Sequence, residues 1–370
     1  MSRRHATVES VVVTRHELTS ADAPELATLF GLDHLPLRPS RVEVVIAGAP
    51  TAVVNALRRA LVDEVEGHAL HAAGFDTALT TDVFMLPQFV CRRIALLPLR
   101  APLPLGAGAL RLALDVTNTG AAPLTVYAGD LTVTAGAADP AAPLYNPTTE
   151  LAFLQPGARL VVRDIVVAAG FGRDDAVFNV ARRAAFTHLD LEQHSDDAVR
   201  RADGVAADES GYLLSSLVAD PRRHRLTVVL PATGDDPADA RAVVADACVS
   251  VVDRLRLVEA AVLAAGQAGA PGGTSSRVGA VARFDVVALE SGLAEGHLRV
   301  PGETHTVGEL LRRAVFDAAP DVANVSYVAA AGDLALTLSA AEDVAALLLR
   351  AVRAATADFD SIRRGIMDAT

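Results

Sequence analysis

Residues 55–65 read NALRRALVDEV, and residues 309–319 read ELLRRAVFDAA. Aligned on their arginine pairs, the two stretches share Leu57/Leu311, Arg58/Arg312, Arg59/Arg313, Ala60/Ala314 and Asp63/Asp317. One chain therefore writes nearly the same helix twice, and the surroundings repeat as well. Before the first copy, RVEVVIA (41–47) alternates as a strand does. Pro50 and Thr51 then open a helix predicted to run to about Glu66 and to stop at Gly67, a common C-terminal choice. Before the second copy, FDVVALE and HLRVP read as strands joined by a turn near Gly292. Thr306-Val307-Gly308-Glu309 has the Ser/Thr-x-x-Glu form of a capping box.

After each copy comes a further strand and a long helix. RLTVVLP leads into a helix from about Pro237 to Ala265, with Val244, Cys248, Val251, Leu255, Val258 and Val262 spaced 4-3-4-3-4. DLALTLS leads into one from about Ala341 to Ile366, with Val344, Leu348, Val352, Ala355, Phe359, Ile362 and Ile366 spaced 4-4-3-4-3-4. Both are narrow, coiled-coil-like seams. A stripe exposed over so many turns would be a liability, so each needs an apolar partner. The economical solution is that the halves pack on each other as an intramolecular pseudo-dimer. The expected fold class is α+β.

The expected layout follows. Residues 1–40 are an N-terminal extension, and 41–103 with 221–265 form the first repeat unit. Between them, 104–220 is a β-rich insert of short runs (LRLALDV, LTVYAGDL, ARLVVRDIVV) cut by Gly/Pro turns, ending in the polar stretch 196–211. GQAGAPGGTSSRVGA, 266–280, has five glycines in 15 residues and reads as a flexible linker; 281–370 is the second unit.

Composition removes several kinds of chemistry. With 51% apolar and 21% charged residues the chain reads as globular. Its net charge of −12 argues against nucleic acid as the main partner, because phosphate binding rests on basic excess. All 33 basic residues are arginine, a bias that fits a GC-rich genome; without lysine there is neither a P-loop lysine nor a Schiff base. Two cysteines, Cys91 and Cys248, make neither a four-cysteine zinc site nor a disulfide framework. No uncharged apolar run reaches the length of a membrane span. Glu9 and Arg15 interrupt the apolar start, so no signal peptide is read and an intracellular protein is expected.

Three stretches carry a family resemblance: NALRRAL; QFVCRRIALLPL (88–99); and ETHTVGELLRR (303–313), which is similar to the pattern Asp-His-Thr-Leu-Gly-Asn-Leu. The first part of the chain resembles the third-largest subunit of eukaryotic RNA polymerase II, its archaeal D-type counterpart and the N-terminal domain of bacterial alpha. The last part resembles the eukaryotic eleventh subunit and its archaeal L-type counterpart. Their fusion resembles the polymerases of nucleocytoplasmic large DNA viruses, particularly the asfarvirus kind, as do FTHLDLEQ, SGYLLSS and DPRRHRL. The resemblance implies two alpha-like dimerisation domains and a non-catalytic assembly platform of a DNA-directed RNA polymerase. The platform holds the second-largest and largest subunits, with small zinc-binding subunits as further partners and no sequence-specific DNA contact. Magnesium belongs in the partner catalytic subunit, and this chain carries no cofactor. Viral factories in the host cytoplasm and packaging in the virion are the implied locations.

The resemblance also implies roles. Asn55, Arg58, Arg59, Arg92, Arg93 and Pro98 face the second-largest subunit, and Arg312 and Arg313 face the largest. A planar guanidinium fork suits an interface carboxylate or carbonyl better than an ammonium does. From sequence alone, such arginines are most often solvated residues with stems over apolar neighbours, and it is the resemblance that reverses this reading. Pro98 is read as ending the strand or loop after Arg93, and His305 as a helix-entry residue with a local hydrogen bond. The chain departs from the family in two places. Its insert has no cysteine for a metal centre, and GFGRDDAVF (170–178) puts Asp175 and Val177 where a histidine and a lysine are usual.

Two rival readings remain. His188, Asp190, Glu192 and His194 would share one face of a strand, the best metal-like cluster in the chain, and would suit a stand-alone metal-dependent enzyme using His188, Asp190 and His194. A cellular scaffold of the same fold is the other. Gly170-Phe171-Gly172 lacks the third glycine and following helix of a dinucleotide loop, and Asp174 and Asp175 would repel a pyrophosphate. Cys248 is simplest as a small buried apolar group.

Overall fold

The computed structural model describes residues 6–15, 38–72, 78–82, 85–103, 107–136, 144–189, 222–233, 236–266, 273–275, 281–289, 293–330 and 332–369. The chain opens with strands β1 (Thr7–Arg15) and β2 (Arg38–Ala47), helix α1 (Thr51–Asp63), strands β3 (Glu66–Ala72) and β4 (Ala78–Thr80), and helix α2 (Pro87–Ala95). Six strands follow: β5 (Arg111–Thr117), β6 (Leu124–Tyr127), β7 (Thr132–Ala135), β8 (Glu150–Leu154), β9 (Arg159–Phe171) and β10 (Arg183–His188). Then come β11 (Arg223–Thr233), α3 (Pro237–Gly266), β12 (Gly273–Ser275), β13 (Val281–Ala288) and β14 (Ala294–Pro301). The chain continues through α4 (His305–Ala318), β15 (Asn324–Ala330), β16 (Asp333–Ala340) and α5 (Val344–Asp368). The fold is α+β, and every strand pairing among the described residues is antiparallel.

Two of the sheets flank helices. One has the order β1-β2-β11-β10, the other β12-β13-β14-β16-β15. Alternation decides which face each turns inward. Along β2, Val42, Val44 and Ile46 are buried; along β16, Leu334, Leu336 and Leu338 are. Between the sheets, α3 packs along α5 and α1 packs against α4. Val244, Cys248, Val251, Leu255, Val258 and Val262 share one hydrophobic cluster with Val344, Leu348, Val352, Ala355, Phe359, Ile362 and Ile366, none more than 1% exposed.

A second cluster lies in the middle of the chain. There β3-β9-β5-β7, with β4 added on β9, and the ribbon β6-β8 enclose Leu70, Leu112, Leu114, Leu151, Leu154 and Ile165. Val90 and Ile94 of α2, with Leu97 and Leu99 after it, belong to this cluster. Residues 97–101 then strap the two clusters together: the Ala101 N–H donates to the Ala232 carbonyl at 3.1 Å, and Arg100 reaches Asp239 at 2.9 Å.

Local structure departs from the sequence expectations at five points. Helix α1 stops at Asp63, not near Gly67, because the Ala60 carbonyl takes both the Glu64 and Val65 N–H groups and turns the chain into β3. Residues 92–99, expected as strand or loop, begin as the last turn of α2; Pro87 fixes its first turn and Val90 and Ile94, four apart, supply its buried face. Helix α4 starts at His305 with Thr304 as cap, its hydroxyl accepting from the Thr306 N–H at 3.3 Å, so Thr306 lies inside the helix and not at its cap. The N-terminal segment holds a strand, β1, paired along β2 and packed on α5. Within the stretch read as a flexible linker, 273–275 form β12 against β13, while 267–272 and 276–280 lie outside the described residues.

Candidate functional site

In both LRRA helices the apolar residues are core. Leu57, Ala60 and Leu61, like Leu310, Leu311 and Ala314, are buried, which leaves the arginines on the partly exposed side. Arg58 donates through Nε to the Asn55 side-chain oxygen at 2.9 Å, so Asn55 braces that arginine within its own helix. Arg59 keeps its Nε buried with no hydrogen-bond partner among the described residues. On α4, Arg312 makes a two-point pair with Glu309 at 2.8 and 2.7 Å, and its guanidinium lies over the Phe316 ring. Arg313 pairs with Asp317 at 3.0 Å, and Arg222, from the segment entering β11, reaches the same carboxylate at 3.3 Å.

Tyr327 of β15 stands where these two helices come close. Burial and the Glu309 charge push its hydroxyl above the usual range, while the charges of Arg312 and Arg59 pull it down. Its ring also explains the glycine of the second repeat. A Cβ on Gly308 would sit 2.5 Å from the Tyr327 ring, so only glycine lets α4 approach the sheet there. His305 meets Tyr327 edge-on at 5.7 Å between ring centres, a packing role.

The third pair of arginines lies on α2, with the second cluster. Arg92 grips Asp175 with both terminal nitrogens at 2.8 and 3.0 Å, and that bond holds the Asp175 carboxyl below the usual range. Asp175 is the residue that departs from the family's histidine. Arg93 donates to the Leu151 carbonyl at 3.1 Å, and Pro98 sits between buried Leu97 and Leu99. Around α2 several large apolar side chains are exposed: Leu86 at 50%, Phe89 at 63% and Leu96 at 53%. Gly172 is a close-packing residue, since a Cβ there would sit 2.2 Å from the Val62 carbonyl.

Sequence reasoning missed a chain of alternating charges that ties all three parts together. Arg173, just after β9, donates to Glu64 at 2.9 Å. Glu64 also receives Arg254 of α3, which reaches on to Glu303 at 3.5 Å. Ser250 donates to the Glu64 carbonyl at 3.1 Å. Burial pushes the Glu303 carboxyl above its usual range and the nearby Glu64 charge adds to this, while Arg254 opposes it. These residues line an open cleft of about 1220 Å³ between the two clusters. The one local signal is position: Glu64 closes the first LRRA helix, and Glu303 sits just before the second.

Of the metal-like cluster, only His188 falls among the described residues; Asp190, Glu192 and His194 lie outside them. His188 turns its Nδ1 to Nδ1 of buried His224 at 2.9 Å, and His224 Nε2 lies 3.1 Å from the Ala49 carbonyl. A carbonyl only accepts, so His224 donates to Ala49 through Nε2, and the two Nδ1 atoms share the hydrogen bond between the rings. The residues described hold no group of three or more histidine, cysteine, aspartate or glutamate side chains arranged for a metal ion. No helix among them is long and apolar enough to cross a membrane.

No protein-family model matches the chain. Individual relatives do. The DNA-directed RNA polymerase RPB3-11 homolog of African swine fever virus (strain Badajoz 1971 Vero-adapted) is 30% identical over 348 residues, 91% of each chain. The protein of the same description from isolate Tick/Malawi/Lil 20-1/1983 matches equally. DNA-directed RNA polymerase subunit Rpo3 of Thermococcus kodakarensis (strain ATCC BAA-918 / JCM 12380 / KOD1) is 29% identical over 150 residues, 38% of this chain and 53% of that protein. An alignment running through both LRRA copies and the segment between them leaves one assignment: the chain belongs to the family of the DNA-directed RNA polymerase RPB3-11 homologs, fused non-catalytic subunits of that polymerase.

Proposed function

We propose that this chain is the assembly platform of a viral DNA-directed RNA polymerase, an intramolecular pseudo-dimer of two alpha-like dimerisation domains with a β-rich insert in the first. Along the sequence the domains run 41–103 with 221–265 and 281–370, with the insert at 104–220, the extension at 1–40 and the linker at 266–280. In space β3, β4 and α2 join the insert's sheet and core, while β10 joins the sheet of the first domain. One observation carries the reading. Helices 254 residues apart in sequence pack as neighbours over a shared core, with their arginines on the partly exposed side. The seam residues of α3 and α5 hold the halves in register. The platform then presents the α1 face, with Asn55, Arg58 and Arg59, and the segment carrying Arg92, Arg93 and Pro98 to the second-largest subunit. It presents Arg312 and Arg313 to the largest. Small zinc-binding subunits complete the set. Nucleotide addition, with its magnesium, takes place in the large subunits, and this chain needs no cofactor. Its place of work is the viral factory in the host cytoplasm, with carriage in the virion.

The internal pairing of these arginines is compatible with that role. The Arg92–Asp175 pair is exposed, at 50% and 39%, and such pairs contribute little to stability. Exchanging Asp175 for a partner's carboxylate therefore costs the fold little. Arg59 is different, because its buried Nε already lacks an acceptor among the described residues, one that a partner carbonyl could supply.

Co-expression of the full chain with the two largest subunits, followed by size-exclusion chromatography, tests the platform role. Co-elution of all three in equal amounts is expected. Charge reversal at Arg58 and Arg59 should abolish it while leaving the chain folded. Elution of the chain alone beside folded large subunits would refute the reading.

A further inference from the structure

The sheet β12-β13-β14-β16-β15 buries one face on the helices and leaves the other open. On the open face, pairing aligns one row straight across four strands. Arg283 opposes Arg299, Arg299 opposes Ala335, and Ala335 opposes Val328, all four exposed. Two arginines directly opposite each other repel and destabilise a sheet. Here neither has an ion-pair or hydrogen-bond partner among the described residues, although Asp285 lies two residues along the same face. At the far end of the row Val328 is 65% exposed, the highest value among the large apolar side chains described. Small Ala335 between them leaves a shallow groove of about 480 Å³, bounded by Arg283, Arg299, Val328, Ala330 and Asp333. The strand at this edge, NVSYVAA, has no charge or proline, and its pairing with β16 has no bulge. Sheet edges that face water are ordinarily guarded by just those features.

We infer that this face is a docking surface for a segment of another polymerase subunit that carries a carboxylate a few residues from a large apolar side chain. The arginine pair would take the carboxylate in a charge-assisted fork, and Val328 would take the apolar group across Ala335. Arg299 and Val328 are two strands apart, about 10 Å at the usual spacing, which two to three residues of extended chain span. A protein segment fits better than nucleic acid. Asp285 and Asp333 bracket the arginine row along the strands, so a single carboxylate is accommodated where a continuous run of phosphates would be repelled. The surface lies on the opposite face of this sheet from α4, since Tyr327 packs on Gly308 and its neighbour Val328 turns the other way. It rests on the platform reading for the identity of its partner.

The test places a benzoylphenylalanine at position 328 of the full chain, co-expressed with the two largest subunits. After irradiation of the purified assembly, the cross-linked peptide is mapped. A cross-link to one subunit segment holding an aspartate or glutamate within about three residues of the linked position is expected. Its yield should fall about tenfold when Arg283→Glu and Arg299→Glu are introduced together, the order expected for one lost charge-assisted contact. Both arginines are exposed, so circular dichroism of that variant should be unchanged. An assembly that forms but gives no cross-link, a cross-link to nucleic acid, or a yield indifferent to the double reversal would overturn the docking surface while leaving the platform standing. Failure of the three chains to co-elute would remove the platform and, with it, this surface.

Discussion

Glu303 lies within an ion chain where two carboxylates share Arg254, and its Oε2 has no hydrogen-bond partner among the described residues. Its carboxyl is held above the usual range mainly by burial. A carboxyl whose folded value is raised contributes stability that is complete below the unfolded value, about 4.3, and is lost as pH rises through the folded one. Glu303→Gln should therefore leave the melting temperature unchanged at about pH 4 and raise it at about pH 8; a lower melting temperature at the higher pH would contradict this. Arg254→Ala acts in the opposite sense. It leaves Glu64 and Glu303, with side chains 4% and 8% exposed, to face each other without their shared cation. A loss of about 3–5 kcal/mol in urea denaturation is expected. None of this is legible in the sequence, because the partners come from four separate segments and each is an ordinary charged residue in its own. The opposite holds for Arg58 and Arg59, which the repeat alone singles out. What the repeat does not disclose is how differently they are held: Arg58 is braced by Asn55, while the buried Nε of Arg59 has no acceptor among the described residues.

At the scale of elements, long periodic signals survive and short ones fail. Helices α3 and α5 are visible because six or seven apolar positions in register outweigh any local ambiguity. Helix α2, nine residues long, reads as loop or strand because a run such as CRRIALLPL fits either period. The Gly67 stop is misplaced for a related reason. That glycine is required by a backbone crossing, with a Cβ there falling 1.7 Å from the Phe178 carbonyl, and not by the end of a helix. Two substitutions test the packing of these elements. Phe359→Ala empties a fully buried site on α5 and should cost about 3–5 kcal/mol. Gly308→Ala forces α4 off the Tyr327 ring and should cost about 1–3 kcal/mol by overpacking, read as a lower urea midpoint with the slope unchanged.

For the molecule as a whole, α3 and α5 bury their stripes in one cluster, and among the described residues of the segment between α3 and β13, 273–275, none belongs to that core. A protease site placed within 267–272 should therefore yield two fragments that still co-elute after cleavage, and separate only on dilution as effective concentration is lost. Fragments that part at once would show that the tether, and not the packing, holds them. One contact gives this arrangement an order in time. The Ala6 N–H donates to buried Asp358 at 3.1 Å, and Val8 lies against Gly365, joining the first strand to the last helix across 352 positions. On the ribosome, β1 emerges long before α5 has been translated, so that side of the first sheet waits uncovered until synthesis is almost finished. A nascent chain cut short anywhere upstream of α5 therefore carries an unfinished apolar surface at its start, an intrinsic mark by which chaperones and proteases can tell incomplete product from complete.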